Sequence, residues 1–253
     1  MTGWTWAAAS CRGTAHERCA EPRQDAYRIA CSGDDGDFLV VVVCDGAGSA
    51  SHGGAGARIA AWTLTSCART WLRATGRLPA ADAAACWMLL ARARIAFAAN
   101  KRGLDPRDFA TTAVVAISDG ASTLTAHVGD GAVVARLTSS GEWISLSWPE
   151  QGEFASMTRF LTDEAGLSLR VARHDHPLDR LAVMSDGLER LALDFRACAP
   201  HAPFLEPMAA PLAACGTVGQ DRHLSKVLST YLASDRINER TDDDKTLVLA
   251  ARS

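Results

Sequence analysis

Two rhythms of apolar residues alternate along this chain, and they predict its elements. Residues 26–31 and 38–44 read as strands, with Ser-Gly-Asp-Asp-Gly as the turn between them. From Gly53 to Leu72 the positions Ala57, Ala60, Ala61, Leu64, Ala68 and Trp71 fall at helical spacing. A second helix is expected from about Ala80 to Asn100, capped by Gly103. The pattern then changes to TTAVVAIS, STLTAHV, AVVARL and EWISLS, separated by turns at Asp119-Gly120, Gly129-Asp130-Gly131 and Ser139–Gly141. Links this short favour antiparallel neighbours. Residues 149–165 show no period, and strands are expected to return at 168–173 and 180–184. The Pro- and Ala-rich stretch from Cys198 to Gly216 predicts loop and a short helix. HLSKVLSTYLAS (223–234) predicts an amphipathic helix, and KTLVLAA (245–251) a last strand. With no linker, repeat or low-complexity segment in view, the expectation is a single domain over 1–253, with a largely antiparallel sheet.

Composition narrows the classes. The chain has 253 residues, 48% hydrophobic and 22% charged, with a net charge of −3. No basic excess points to nucleic acid. The N-terminal MTGWTWAAASCRG lacks a charged head and long apolar core, so it does not read as a signal peptide, and no apolar run is long enough to span a membrane. Eight cysteines include no C-x-x-C pair and are expected to be reduced, mostly buried small hydrophobes. The expected location is cytoplasmic. Trp62, Trp71 and Trp87 are expected to pack within and between helices.

The chemistry is carried by strand ends. LVVVVCDGAGS (39–49) runs five apolar residues and Cys44 into Asp45-Gly46. LAVMSDG (181–187) repeats the design at Asp186-Gly187, and TDDD (241–244) immediately precedes the strand KTLVLAA. Asp130 sits between two further strands in HVGDGAV. An Asp-Gly after a strand is ordinarily only a turn; the set is what points to a site. Were these strand ends to meet, like charges and desolvation would oppose ionisation. A divalent cation resolves that conflict, and all-oxygen ligands select Mg²⁺ or Mn²⁺ over zinc. Gly46 allows a sharp turn and offers its carbonyl to such an ion. The glycines of GAGSASHGGAG have the look of a dinucleotide-binding turn. However, Asp45 precedes them, and no βαβ unit with an acidic strand end follows about twenty residues on. Cys44 lies inside an apolar strand, where a thiolate is disfavoured, so it reads as core rather than nucleophile.

QDAY (24–27), VVVCDGAGS (41–49), TTAVVA (111–116), HVGDG (127–131), MSDGLERL (184–191) and DDDKTLVL (242–249) together resemble the metal-dependent protein phosphatase 2C family, in its compact bacterial branch. The resemblance implies an α+β fold, a four-layer αββα sandwich of two antiparallel sheets packed face to face and flanked by helices. It implies two Mn²⁺ or Mg²⁺ ions at one end of that sandwich. Asp45 would bridge both, the Gly46 carbonyl would bind one, and Asp186 with Asp243 would bind the other. Asp243 is chosen because Asp243-Asp244-Lys245-Thr246 lines up with the family's Asp-Asn-x-Thr. Asp130 would hold a weaker third ion, and Gln24 and Asp25 would contact the second metal through water. Gln24 stands where many members have Glu, Gly131 replaces a Ser, and Ala20 replaces the Arg that grips the substrate phosphate. His16, Arg18 and Arg23 are candidates for that last role, with His16 also a candidate acid for the leaving group.

The implied activity is hydrolysis of phosphoserine and phosphothreonine by a water activated between two metals, reversing a bacterial serine/threonine kinase. Phosphorylated proteins, and such a kinase, are the expected partners, without nucleic acid or membrane. Two alternatives stay open at this point. One is an enzyme of the same fold acting on a small phosphomonoester. The other is a catalytically weak metal-binding domain that docks a kinase, motivated by Ala20 and Gln24.

Overall fold

The structure, a computed structural model, describes residues 3–33, 36–150, 158–215 and 218–252. In chain order its elements are β1 (Trp4–Cys11), α1 (Thr14–Arg18), β2 (Ala26–Ser32), β3 (Phe38–Cys44), α2 (Gly53–Thr75), α3 (Ala81–Asn100), β4 (Ala113–Ser118), β5 (Thr123–Val128), β6 (Ala132–Leu137), β7 (Trp143–Ser147), β8 (Arg170–His174), β9 (Leu178–Met184), α4 (Glu189–Ala192), β10 (Leu193–Asp194), β11 (Ala199–Pro200), α5 (Ala202–Ala213), β12 (Gly219–Gln220), α6 (Arg222–Leu232), α7 (Asp235–Asn238) and β13 (Lys245–Arg252).

The unbroken apolar run of β3 follows from where the strand lies. Successive side chains of a strand point to opposite faces, and here both faces are buried. Val40, Val42 and Cys44 pack with Ala60, Leu64 and Met88 of α2 and α3. Leu39, Val41 and Val43 pack instead with Val183, Val248 and Ala250 of a second sheet. β13 and β9 divide in the same way. Leu247, Leu249, Ala182 and Met184 face α5 and α6, while Val248 and Val183 face the other sheet. Three apolar layers thus join four layers of structure: helices, sheet, sheet, helices. The expected αββα sandwich is the observed fold.

One sheet runs β2-β3-β4-β5-β8, all antiparallel, and the other β12-β1-β13-β9-β6-β7. The second contains one parallel pair, β12 with β1. β10 and β11 form a separate two-stranded ribbon. β3 and β4 are central in one sheet, and β13 and β9 are adjacent in the other. The C-terminal ends of β3 and β9 and the start of β13 therefore emerge at one end of the sandwich. Among the described residues no helix is long and apolar enough to cross a membrane.

Several elements depart from the sequence reading. The alanine-rich segment 4–11, unassigned from sequence, is a full strand paired residue for residue with β13, from Trp4↔Arg252 to Cys11↔Lys245. Alanine is the best helix former, but intrinsic propensity is a weak preference that the partner strand overrides. The Pro-rich stretch holds a twelve-residue helix, α5, in spite of Pro207 and Pro211 inside it. Trp71 and Trp87 meet edge to face at 6.1 Å between α2 and α3. Trp62 does not join the core: it is 49% exposed and lies under the Arg94 guanidinium. The turn between β2 and β3 and the 149–165 segment fall partly outside the described residues.

Candidate active site

Asp45 leaves the end of β3 in a fixed direction because two threonines hold its backbone. The Thr112 amide and the Thr111 hydroxyl both donate to the Asp45 carbonyl at 2.8 Å. The Asp45 amide donates in turn to the Thr112 hydroxyl at 3.1 Å. Gly46 extends this pairing with a bridge to Thr111. A Cβ at Gly46 would collide with the Gly53 backbone at the start of α2, so the residue must lack one.

The side chain of Asp45 meets those of Asp130, from the β5–β6 turn, and Asp186, just beyond β9. One carboxylate oxygen from each lies within 4.8 Å of the other two. Asp186 is brought in by a close approach of chains: a Cβ on Gly187 would overlap the Asp244 carbonyl oxygen and stand 3.5 Å from the Asp243 Cβ. Asp243 is thereby set beside Asp186 at the rim, and its Oδ1 accepts from the Asp244 amide at 2.7 Å. The sequence grouped Asp45 and Asp186 with Asp243; among the described residues the three that offer oxygens within 4.8 Å of one another are Asp45, Asp186 and Asp130. The Thr158 hydroxyl, donating to Asp130 Oδ2 at 2.5 Å, helps orient it.

Asp25 lies deeper. Its Oδ2 accepts from the hydroxyls of Ser185 at 2.7 Å and Thr246 at 2.6 Å. Its carboxylate also stands within hydrogen-bonding reach of Asp45. Gln24 is buried, and with its amide nitrogen turned inward it donates to the carbonyls of Gly46 at 2.9 Å and Ala47 at 2.8 Å. A glutamate could not make these bonds. A carbonyl oxygen has two lone pairs, so the Gly46 carbonyl retains an acceptor site beside the Gln24 amide.

Charge in this cluster is under strain. Burial, then the Asp25 and Asp186 charges, push Asp45 well above the usual carboxylate range. Burial, then Asp130 and Asp243, do the same for Asp186. Burial raises Asp25 to about 6, against the pull of its hydroxyl donors, and burial also raises Asp130 and Asp243. One oxygen each of Asp25, Asp130 and Asp186 is buried without a hydrogen-bond partner among the described residues. An all-oxygen set with orphaned, mutually repelling carboxylates fits a hard divalent cation.

The third consecutive aspartate has a different task. Asp244, 1% exposed, accepts from the amides of Gly13 at 2.7 Å and Gln24 at 2.5 Å. It also stands 3.0 Å from His16 Nδ1. Burial opposes the charged imidazolium of His16, but Asp244 outweighs it and the pKa of His16 is raised. Arg18 lies on the rim and donates to Asp242 at 2.8 Å, and Arg23 donates to the Ser10 carbonyl at 2.5 Å. Ala20 adopts a left-handed backbone conformation, φ 56°. Cys44 is fully buried, and burial pushes its thiol far up, so it has no thiolate to offer. Sequence reasoning missed the hydroxyl supports Thr111, Thr112, Thr158, Ser185 and Thr246; the pair Thr111-Thr112, beside the strand next to β3, was the available signal.

A sequence model of protein phosphatase 2C matches residues 12–232. Serine/threonine-protein phosphatase 3 of Escherichia coli (strain K12) is 39% identical over 251 residues, 98% of each chain. Among solved structures, serine/threonine phosphatase Stp1 from Staphylococcus aureus superimposes with a TM-score of 0.64 at 16% identity, covering 97% of this chain and 94% of that one. The catalytic domain of the serine/threonine protein phosphatase PstP, solved with two manganese ions, does so with a TM-score of 0.62 at 16% identity, over 100% and 99%. At these identities the two structures speak for the fold alone.

Proposed function

The chain belongs to the protein phosphatase 2C family, and we infer from that premise that it removes phosphate from phosphoserine and phosphothreonine in proteins, as a metal-dependent phosphatase. The observation that carries the reading is the meeting of Asp45, Asp130 and Asp186, encoded far apart, within 4.8 Å. A domain that merely bound a partner would have no need for so costly a concentration of like charge.

Asp45, the Gly46 carbonyl, Asp186, Asp243 and Asp130 would hold Mn²⁺ or Mg²⁺, with Asp25 and Gln24 behind them. Bound there, such ions supply an activated water and a counter-charge for phosphoryl oxygens. The chain's own residues do the rest. Thr111 and Thr112 fix the direction of Asp45, and Ser185 and Thr246 fix Asp25. Gln24 holds the Gly46–Ala47 backbone in place. His16, held 3.0 Å from Asp244, is the residue assigned here to give a proton to a departing alkoxide. A cognate serine/threonine kinase would supply the phosphoproteins.

The test is hydrolysis of p-nitrophenyl phosphate and of a phosphothreonine peptide, with Mn²⁺ and with chelator. Activity should require the metal and fall at least about a hundredfold in Asp45→Asn. Turnover of both substrates unaffected by chelator and by that substitution would refute the assignment. Preference for sugar or nucleotide phosphates over the peptide would move the substrate class to small molecules.

A further inference from the structure

A cavity of about 680 Å³ opens on the far helical layer, between α5, α6 and α7 and the sheet beneath them. That volume lies within the range of small-molecule pockets, about 300–1,000 Å³. Its floor is apolar and buried: Ala7 of β1, Leu249 of β13, Leu228 of α6 and Ile237 of α7. One wall is a stripe of prolines, Pro203, Pro207 and Pro211, spaced four apart along α5. Proline has no amide hydrogen, so that wall presents ring carbons and no backbone donor at these three positions.

The rim has one sign of charge. Arg190, Arg236, Arg240 and His201 line it, and among the described residues no acidic side chain does, although the chain as a whole carries a net −3. None of the three arginines makes an ion pair or side-chain hydrogen bond among the described residues, though Glu189 adjoins Arg190. Arg136 and Arg180, beside this layer, differ: both pair with Glu206 of α5. An apolar floor under unpaired guanidinium groups complements an amphipathic oxyanion. We infer that this cavity binds an amphipathic carboxylate, its alkyl chain on the floor and its carboxylate at Arg236 and Arg240, which suit planar oxyanions.

The cavity adjoins two of the segments that carry the clustered aspartates. Arg190 and Leu191 line the cavity shortly after Asp186, and Arg240 lines it three residues before Asp243. Whatever fills the cavity therefore touches both segments that deliver those aspartates.

Decanoate, kept below its micelle concentration, is the probe, titrated calorimetrically into the full-length protein with decanol as the neutral control. Saturable 1:1 binding of decanoate is expected, at least about tenfold weaker for decanol and for the double variant Arg236→Ala/Arg240→Ala. Both arginines are exposed, and an unchanged thermal transition will show that the variant folds. Should it not fold, Val227→Trp at the mouth, where Val227 is 51% exposed, is the second variant, expected to abolish uptake of both probes. No saturable binding, equal binding of decanol, or undiminished binding by the variant that folds overturns the inference. So does capture of an acidic helical peptide by a protein that takes up no decanoate.

Discussion

Asp25 should limit the stability of the metal-free protein, and Asp25→Asn should relieve that limit. Burial lifts the folded-state pKa of Asp25 from the ordinary 3.8 to about 6. A folded pKa raised above the unfolded value means that stability is present at low pH and is lost as pH rises through the folded value. At about 1.4 kcal/mol for each pH unit between the two values, ionising Asp25 without a cation costs about 3 kcal/mol. Asparagine removes that cost with little rearrangement. Its oxygen can accept from the Ser185 and Thr246 hydroxyls, as Oδ2 now does. Its NH₂ replaces the buried, unpartnered Oδ1 and turns a donor toward Asp45. In chelator at pH 7.5 the variant should therefore melt higher, by roughly 6–12 °C at about 2–4 °C per kcal/mol for a chain of this size. The gain should fall to about half at pH 5 and to about a fifth at pH 4, where the folded Asp25 is protonated and the unfolded one is already partly so. With Mn²⁺ the order should narrow or reverse, because a cation stabilises the folded form that holds it. Thermal melts across this pH range, with and without Mn²⁺, decide the matter. A variant that melts lower than the parent at pH 7.5 in chelator, or whose gain is the same at pH 4, refutes the reasoning.

Arg18→Ala should leave the melting temperature nearly unchanged, because its ion pair with Asp242 is about two-thirds exposed on both sides and such pairs contribute under about 1 kcal/mol. KM for a phosphothreonine peptide should stay within about twofold, since the guanidinium is engaged by Asp242; a larger rise would make Arg18 the phosphate contact after all. Gly187→Ala should cost about 3 kcal/mol and most of the activity, because the added methyl overlaps the Asp244 carbonyl and parts Asp186 from Asp243; a fully active, equally stable variant would show that this contact yields. Alkylation by iodoacetamide should reach the exposed Cys19, Cys86 and Cys198 in the native protein and Cys44 only on unfolding, as mass mapping of the labelled peptides would show.

Strands whose faces are both buried announce themselves in sequence, because nothing polar is tolerated on either side. That is why β3, β4, β9 and β13 could be placed to within a residue or two, and why the aspartates at their ends could be picked out. β1 could not. Its alanines carry no β signal of their own, and it exists because β13 offers eight paired positions. The length of α5 was hidden for the converse reason: Pro207 and Pro211 signal a break, but Leu205, Ala209 and Leu212 bury enough apolar surface against the sheet to carry the helix through them.

The run Asp242-Asp243-Asp244 shows where a linear reading runs out. Three identical residues occupy three environments. Asp242 is at the surface with Arg18, and Asp243 is at the rim beside Gly187. Asp244 is buried against two amides and His16. Backbone direction, set where the chain enters β13, decides which carboxylate faces the cluster and which faces inward. The inward one is no less constrained than a metal ligand. By binding the amides of Gly13 and Gln24 it ties the start of β13 to the segment that leads into Asp25, while Oδ1, which accepts from Gly13, also stands 3.0 Å from His16 Nδ1. The cluster is therefore fixed from two sides, by hydroxyls beneath Asp25 and Asp45 and by Asp244 behind Gln24. A site assembled from five distant segments can hold mutually repelling carboxylates close together only if each segment is anchored by bonds that do not involve the carboxylate–cation contact itself.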